Sequence, residues 1–308
     1  MNFTHNNHLQ YYVSDRLYGT RQTAIEKFKV SVGSIDNDRY SSSNYNNELI
    51  RSAELISKDL GNDVVLFLSG GTDSEIVARS FVKLGLKPKC YTIKFKDDYN
   101  LSDVKEATEL ANDLNLQLEY IDFDVKDFLL SGEAIEFGKE LQCSQLTYLM
   151  VYHSIRKIGA PSVMGGEVLL RRNVNTNPMS WYYCFREDED ASAMRFSLKY
   201  NLPLVNEFFS YTPELLLYYL EHSDILNLIQ TQYNYKLTSV SSKNAILKKL
   251  CPDIRVRTKT HGFEQLTGFN YEASRELFRN IIPRLEPSLD GVNYNEVIDM
   301  LKGKYVSN

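Results

Sequence analysis

Six residues near position 70 have the types and the order of an anion-binding turn. In Ser69-Gly70-Gly71-Thr72-Asp73-Ser74, two glycines let the backbone turn sharply and three hydroxyl side chains add hydrogen-bond donors. A helix that begins at this turn would add the positive end of its dipole. Neither the G-x-x-x-x-G-K-S/T pattern of a Walker A loop nor the G-x-G-x-x-G pattern of a dinucleotide fold occurs in the chain. The turn therefore predicts another kind of phosphate site, or else an ordinary turn whose helix is capped by Asp73 or Ser74.

The pattern around this turn predicts alternating strands and helices. Val64–Leu68 is a continuous apolar run, typical of a buried parallel strand, and the apolar positions after the turn repeat at helical spacing as far as Leu84. Further along, the pattern predicts a strand at 91–95, a helix capped near Ser102 or Asp103, a strand at 118–123, helical structure over 133–158 and a strand at 161–164. Such alternation indicates an α/β fold with a parallel sheet, in which ligands bind at the carboxyl ends of the strands.

The remaining regions are distinguished by composition. Residues 1–47 are predicted to be a short N-terminal region that ends in a linker, because Asp36–Asn47 is polar and turn-prone. Residues 48–308 are predicted to form one domain, with a helical part from about residue 173 that folds back across the strand ends. Apolar-rich helical segments are expected near 191–200, 213–222, 241–250, 272–282 and 294–302.

The order Ser-Gly-Gly-x-Asp-Ser after a first strand resembles the PP-loop of the N-type ATP pyrophosphatases. The resemblance implies a PP-loop fold of the adenine nucleotide alpha hydrolase type. It also implies that the turn holds the β- and γ-phosphates of ATP, so that the α-phosphorus is open to attack. The phosphate-binding residues are then Ser69, Gly70, Gly71, Thr72, Asp73 and Ser74. Asp73 is implied to help hold Mg²⁺, since a carboxylate beside phosphates would otherwise be repelled by them.

A second segment narrows the resemblance. Lys243, Leu247 and residues 251–263 are similar to a segment late in the synthetase domain of asparagine synthetases and their β-lactam-forming relatives. Lys259 matches the lysine that contacts the reacting phosphates in that family. A basic turn of this kind is also typical of a solvated surface, and its position after a PP-loop favours the functional interpretation.

A third segment, Gly165-Gly166-Glu167, resembles the turn after the fourth strand of the same family. The family has further acidic residues there, whereas this chain has Val168-Leu169-Leu170. Glu167 is implied to orient the amine nucleophile or to accept its proton, although a glutamate at a glycine turn is also typical of a helix start. By the same comparison Phe67, Ile93, Gly165 and Gly166 line the adenosine site, and Phe67 and Ile93 fit core positions of their strands equally well.

The resemblance covers only the synthetase half of the family. Full asparagine synthetases have a glutaminase domain whose nucleophile is a cysteine at position two, where this chain has Asn2, and the first cysteine here is Cys90. Asparagine cannot act as a thiolate. We therefore expect free ammonia, another amine, or ammonia from a separate subunit to be the nucleophile.

Composition excludes several classes of protein. The formal net charge of −5 argues against a general nucleic-acid binder. The longest apolar run, Leu215–Leu220, has six residues where a membrane-spanning helix needs about 20. The polar start lacks the pattern of an export signal, and four widely spaced cysteines do not form a metal or disulfide motif. A cytoplasmic location is the resulting expectation.

These observations predict an ATP-dependent ligase that forms AMP and pyrophosphate. A carboxylate substrate, aspartate by resemblance, would be activated as an acyl-adenylate and attacked by ammonia or an amine. Asp73, Glu167 and Lys259 are the predicted catalytic residues, with ATP and Mg²⁺ required. The alternatives are ammonia-dependent NAD synthesis, a deazaguanine- or other nucleobase-modifying activity, and an ATP-binding module that has lost catalysis.

Overall fold

The architecture is that of an α/β protein. A computed structural model describes residues 8–23, 25–61, 63–166, 168, 170–173, 180–184, 187–231, 240–255 and 291–304. The strands are β1 (Leu9–Val13), β2 (Arg16–Leu17), β3 (Phe28–Val32), β4 (Val65–Phe67), β5 (Cys90–Phe95), β6 (Leu118–Phe123), β7 (Ser162–Val163), β8 (Leu170–Asn173), β9 (Ser180–Cys184), β10 (Leu204–Val205) and β11 (Gly291–Asn293). The helices are α1 (Asn37–Ser42), α2 (Tyr45–Leu60), α3 (Thr72–Lys83), α4 (Leu101–Asp113), α5 (Val125–Leu130), α6 (Glu133–Leu141), α7 (Leu146–Ile158), α8 (Ser192–Tyr200), α9 (Pro213–Leu220), α10 (Ser223–Thr231), α11 (Val240–Leu250) and α12 (Tyr294–Leu301).

A five-stranded parallel sheet forms the centre, in the order β10-β7-β4-β5-β6. From β4 the chain proceeds outward through β5 and β6, then returns to the other side of β4 for β7 and β10. The order therefore reverses between β4 and β7. In open parallel sheets this switch point is where the loops after the strands separate and leave a crevice for a ligand. We call the side of the sheet where the strands end the carboxyl edge.

The sheet is covered on both faces, as parallel sheets are. Leu66 and Val163 belong to a hydrophobic cluster that includes residues of α2, α3, α4 and α9. Val65 and Phe67 belong to a second cluster, formed with α5, α6, α7 and α8. Alternate residues of β4 therefore point into different clusters, as the two-residue period of a strand requires. The predicted α/β fold class with a parallel sheet is confirmed.

The N-terminal region differs from the expectation. In place of a linker at Asp36–Asn47, the structure has α1 and the start of α2. Asp36 accepts hydrogen bonds from the backbone N–H groups of Asp38 and Arg39, in the first turn of α1, and Asn44 accepts one from the N–H of Asn47. The polar residues that suggested a linker are helix caps, which share the composition of turns. Before them, β1, β2 and β3 form an antiparallel sheet in the order β2-β1-β3. The boundary near residue 47 stays a prediction.

The part beyond residue 173 is less helical than expected. Helices α8, α9, α11 and α12 occupy four of the five expected segments, and the fifth, 272–282, lies outside the described residues. However, β8, β9 and β11 form a second antiparallel sheet, and β10 extends the central one. Strand β9 is rich in aromatic residues, which favour strands, and β10 is too short to show a period. Within the described residues, we find no helix of sufficient length and apolar character to cross a membrane.

Candidate active site at the carboxyl edge

The turn after β4 leads directly into α3. Gly71 immediately precedes this helix, and no side chain of the described residues caps the helix start. The start of α3 therefore presents the positive end of the helix dipole at this turn. The order of strand, glycine turn and helix is the one that the sequence predicted, and anion binding by the turn stays a prediction.

Two serines brace the turn. The Ser74 hydroxyl donates a hydrogen bond to the carbonyl oxygen of Gly71 at 2.9 Å and lies 3.3 Å from both the backbone nitrogen and the hydroxyl of Ser69. Ser74 is buried and Ser69 is exposed. The Ser74 hydroxyl thus holds the backbone in shape, while Ser69 is placed where a ligand can reach it.

Gly70 is required by its conformation and by its surroundings. Its φ of +71° lies in the left-handed region that favours glycine. A Cβ atom at this position would also clash with the carbonyl oxygen of Asp103, in the first turn of α4. The turn therefore packs its backbone directly against the start of the neighbouring helix.

The turn after β7 forms the facing wall. A Cβ atom at Gly165 would lie 2.9 Å from the Cβ atom of Asp73, so the absence of a side chain there lets the two turns meet. Gly166 has a φ of +67°, and a Cβ atom on it would clash with the carbonyl oxygen of Asn206, which follows β10. Three loops of the carboxyl edge thus approach one another backbone to backbone.

Between these turns lies an open cleft of about 300 Å³. Seven of the predicted site residues line it: Phe67, Ser69, Asp73, Ser74, Ile93, Gly165 and Gly166. Gly70, Gly71 and Thr72 belong to the same turn and are buried in it. Glu167 and Lys259 lie outside the described residues, and the roles of all these residues stay predictions.

Some cleft residues were not predicted. Asn100 is buried, accepts a hydrogen bond from the N–H of Phe95 and donates one to the carbonyl of Ile93, both at 2.8 Å. It ties the end of β5 to the start of α4, which begins at Leu101; the expected cap near Ser102 or Asp103 was therefore wrong. The unpredicted lining residues are Leu68, Thr92, Phe95, Asn100, Asp103, Thr147, Tyr148, Met150, Val151 and Met164. The asparagine before an apolar helical pattern was an available signal, because asparagine favours that position; no comparable signal marks the residues of α7.

The acidic residues of the cleft suit a metal ion that is bound partly by the protein and partly by the phosphates of a nucleotide. In the described part of the chain there is no group of three or more His, Cys, Asp or Glu side chains that could hold a metal ion. Two aspartates, Asp73 and Asp103, are among the residues that line the cleft. Mg²⁺ is commonly bound by one or two carboxylates, with phosphate oxygens and water completing its coordination. These residues fit that mode and do not form a cage for a free ion.

The segment that leads toward Lys259 is fixed beside this turn. The backbone N–H of Arg255 donates to a carboxylate oxygen of the fully buried Glu75 at 3.3 Å, and the Arg255 guanidinium lies 3.5 Å from Glu109 and 3.3 Å from Asp113. Glu75 is in the first turn of α3, two residues after Asp73. The chain thus leaves the described residues next to the start of α3, which follows the glycine turn.

Comparison with known proteins gives one family match and several similar solved structures. Residues 60–167 match the model of the asparagine synthase family. No curated protein matches the chain. Among solved structures, an NMN synthetase from Francisella tularensis is 18% identical, with 80% of this chain and 95% of that chain covered and a TM-score of 0.34. An NH3-dependent NAD synthetase from Campylobacter jejuni subsp. jejuni is 15% identical, with 79% and 95% covered and a TM-score of 0.33.

The family match runs from just before β4 to the turn after β7, so it includes both glycine turns and the first cleft walls. The family is one of ATP-using PP-loop ligases, in agreement with the uncapped helix start and the absence of a Walker A sequence. Residues 60–167 of this chain are therefore similar in sequence to the asparagine synthase family.

Proposed function

We propose that this protein is an amide ligase that activates a carboxylic acid as its acyl-adenylate and releases AMP and pyrophosphate. One observation carries the proposal. A single cleft joins the uncapped start of α3, the carboxylate of Asp73 and the turn after β7, at the switch point of a parallel sheet. This arrangement supports a phosphate site and a second catalytic turn around the same bound nucleotide.

The proposed orientation of ATP follows from the lining residues. The outer phosphates lie on the N–H groups of the turn after β4, because that helix start attracts anions. Adenosine lies along Phe67 and Ile93, over the ends of β4 and β5. Asp73 helps to hold Mg²⁺, which, when bound, neutralises charge on the departing pyrophosphate. The α-phosphate then faces the turn after β7.

The chemistry consists of two displacements. An oxygen of the substrate carboxylate attacks the α-phosphorus, the bond to the bridging oxygen breaks, and pyrophosphate leaves. The amine nitrogen then attacks the acyl carbon, and AMP leaves with the electrons of the broken C–O bond. The protein contributes alignment of the reactants and stabilisation of the developing charge by fixed backbone dipoles. Glu167 is proposed to orient the amine and to take its proton.

Lys259 is proposed to stabilise the charge on the pyrophosphate. It follows Arg255 by four residues, and an extended chain spans at most about 3.6 Å per residue, or about 14 Å in this case. Arg255 is anchored to Glu75, which is within one helical turn of Asp73. This anchoring supports a position of the lysine within reach of the phosphates.

The test is to incubate the purified protein with MgATP, ammonium and a panel of carboxylic acids, and to identify the nucleotide product. AMP that appears with one acid only is the expected result and names the substrate. ADP would contradict the mechanism, and tight ATP binding without any AMP would indicate a module that has lost catalysis. Asp73→Ala and Lys259→Ala are each expected to abolish AMP formation without unfolding the protein. Matched controls are Asp253→Ala and Lys83→Ala, which alter an exposed ion pair.

A further inference from the structure

The end of β10 lies next to the turn after β7, and the proposed function gives it no role. We propose that Asn206, the residue after β10, hydrogen-bonds an oxygen of the carboxylic acid substrate and determines which acid is accepted. This assignment rests on the proposed ligase function and adds the residue that recognises the acid.

The register of the sheet places the Asn206 side chain on the face that carries the cleft. β10 runs parallel to β7, with Val205 opposite Val163, and the N–H of Met164 bonds the carbonyl of Val205 at 2.7 Å. Asn206 is therefore level with Met164, and side chains at the same level of parallel strands point to the same face. Met164 lines the cleft. The alternation of side chains along β10 gives the same result. Leu204 belongs to the same cluster as Phe67 and Val205 to the other cluster, so Asn206 is on the face of Leu204 and Phe67.

The side-chain amide of Asn206 is buried and has an unused hydrogen-bond donor. The residue is only 3% exposed, and its side-chain nitrogen has no hydrogen-bond partner within the described structure. Buried donors are paired in the great majority of cases, because an unpaired one loses its bonds to water without replacement. An acceptor atom of a bound ligand would pair this donor and would explain why an asparagine occupies the position.

The backbone of Asn206 lies against Gly166, a residue that lines the cleft. Gly166 lines the cleft, and its missing Cβ atom is what allows the carbonyl oxygen of Asn206 to approach. Gly166 immediately precedes Glu167, the residue proposed to handle the amine. Asn206 is thus fixed directly beside the turn at which amide formation is proposed to occur.

The ligand of Asn206 follows from the positions proposed for ATP. The phosphates are proposed to bind after β4 and adenosine toward β5, so the acid is proposed to bind beside the ends of β7 and β10. The two amide N–H donors of the side-chain nitrogen are well suited to an anionic carboxylate oxygen. The chemical class is therefore an acid whose carboxylate, or a second oxygen near it, accepts a hydrogen bond from the side-chain nitrogen of Asn206.

The opposite face of the same segment is anchored. The Tyr11 hydroxyl donates a hydrogen bond to the buried carboxylate of Glu207. Burial and the nearby Glu207 charge raise the pKa of Tyr18 to about 12, so this second phenol stays neutral beside the carboxylate. Tyr11 and Glu207 are positioning residues, because they hold the segment without facing the cleft.

Two variants test the assignment. Asn206→Asp replaces the donor with a carboxylate, which repels the carboxylate of the acid, and Asn206→Leu removes the polar group. The assay is exchange of labelled pyrophosphate into ATP, which reports adenylation alone, at varied acid and ATP. We expect the KM for the acid to rise at least about 30-fold in both variants, with the KM for ATP within about twofold. Without substrate, Asn206→Leu is expected to melt at the same temperature as the wild type or higher, because it removes an unpaired donor.

Asn46→Leu is the matched control, since the Asn46 amide donates to the carbonyl of Leu250 at 3.0 Å. It should lower the melting temperature and leave the KM for the acid unchanged. If Asn206→Leu lowers the melting temperature as the control does, or if neither Asn206 variant changes the KM for the acid, the assignment is overturned while wild-type exchange still supports the ligase. Absence of acid-dependent exchange in the wild type would overturn the proposed function, and the assignment with it.

Discussion

The two sides of the carboxyl edge are held together in different ways. At β4 and β7 the contacts are between backbones: Gly70 packs on Asp103, and Gly165 on Asp73. At β10 the backbone contact between Asn206 and Gly166 is joined by side-chain contacts, including the hydrogen bond from Tyr11 to Glu207. The first side depends mainly on residues that have no side chain, and the second depends also on particular polar groups.

This difference suits two different tasks. A phosphate is the same in every nucleotide, and backbone N–H groups bind it in a way that depends little on the side chains around them. An acid substrate differs between related enzymes, so its recognition requires groups that single substitutions can change. We therefore expect substitutions on the β4 side to affect nucleotide binding, and those on the β10 side to affect the acid.

The largest effect is expected from Gly70→Ala. The left-handed φ costs an alanine about 1–2 kcal/mol, and the clash with Asp103 adds about 1–3 kcal/mol. We predict a loss of about 3 kcal/mol in unfolding free energy and a loss of ATP affinity of at least about 100-fold, measured by urea denaturation and calorimetric titration. Gly85→Ala is the control: its φ is +85°, with no atom within 4 Å of the added Cβ, so only about 1 kcal/mol should be lost. Equal losses in the two variants would contradict the role given to close packing.

On the β10 side, His8 should make stability depend on pH. Its Nε2 atom donates to the carbonyl of Ser210 at 2.8 Å, and burial lowers its pKa to about 4, against the opposing effects of that carbonyl and of Glu214. Because the unfolded chain binds a proton near pH 6.5 and the folded protein only near pH 4, stability is complete above pH 6.5 and falls between these values. We predict a loss of about 2–3 kcal/mol from pH 7 to pH 4 attributable to His8.

Urea denaturation at several pH values measures this effect. His8→Gln should remove that part of the slope, because glutamine does not titrate. The matched control is His222→Gln, at a partly exposed position after α9. An unchanged slope in His8→Gln would show that the N-terminal sheet is not held to the β10 side in the way described.

A smaller effect is expected from Tyr11→Phe. The substitution removes a donor from the buried Glu207 carboxylate, which should cost about 2 kcal/mol of unfolding free energy. Tyr40→Phe removes a similar hydrogen bond, 2.8 Å to Glu221, whose side chain is 30% exposed and can be hydrated instead. We expect less than 1 kcal/mol from that control. Tyr11→Phe should also raise the KM for the acid and leave ATP binding unchanged, whereas the reverse pattern would contradict the division between the two sides.

The β4 side was largely predictable from the sequence, for a physical reason. Strand β6 has the predicted ends, and the turn after β4 was found with its helix, because apolar periodicity and glycine are local signals. Backbone-built sites leave such signals, since the glycines that permit close approach are visible in the sequence.

The β10 side was not predictable in the same way. Strand β10 has two residues, too few for a period, and it is positioned by pairing with β7, 42 positions earlier in the chain. Tyr11 and Glu207 are separated by 196 positions, so no local pattern joins them. Asp36 and Asn44 were interpreted as linker residues because caps and turns use the same polar side chains. Contacts between residues that are far apart in the sequence could not be predicted from local patterns.

The smallest effect on stability is expected at the segment before Lys259. This segment is held by a buried apolar side chain and by an exposed ion pair. Ile254 is buried, whereas the ion pair between Lys83 and Asp253, 3.1 Å long, is about half exposed. Ile254→Val should cost about 1 kcal/mol, because a buried methylene is lost. Asp253→Asn should leave stability and AMP formation unchanged, since solvent screens an exposed pair and holding two long side chains offsets the attraction. If Asp253→Asn reduced AMP formation while Ile254→Val did not, the surface pair would be what positions Lys259, and polar side chains would control the β4 side as they do the β10 side.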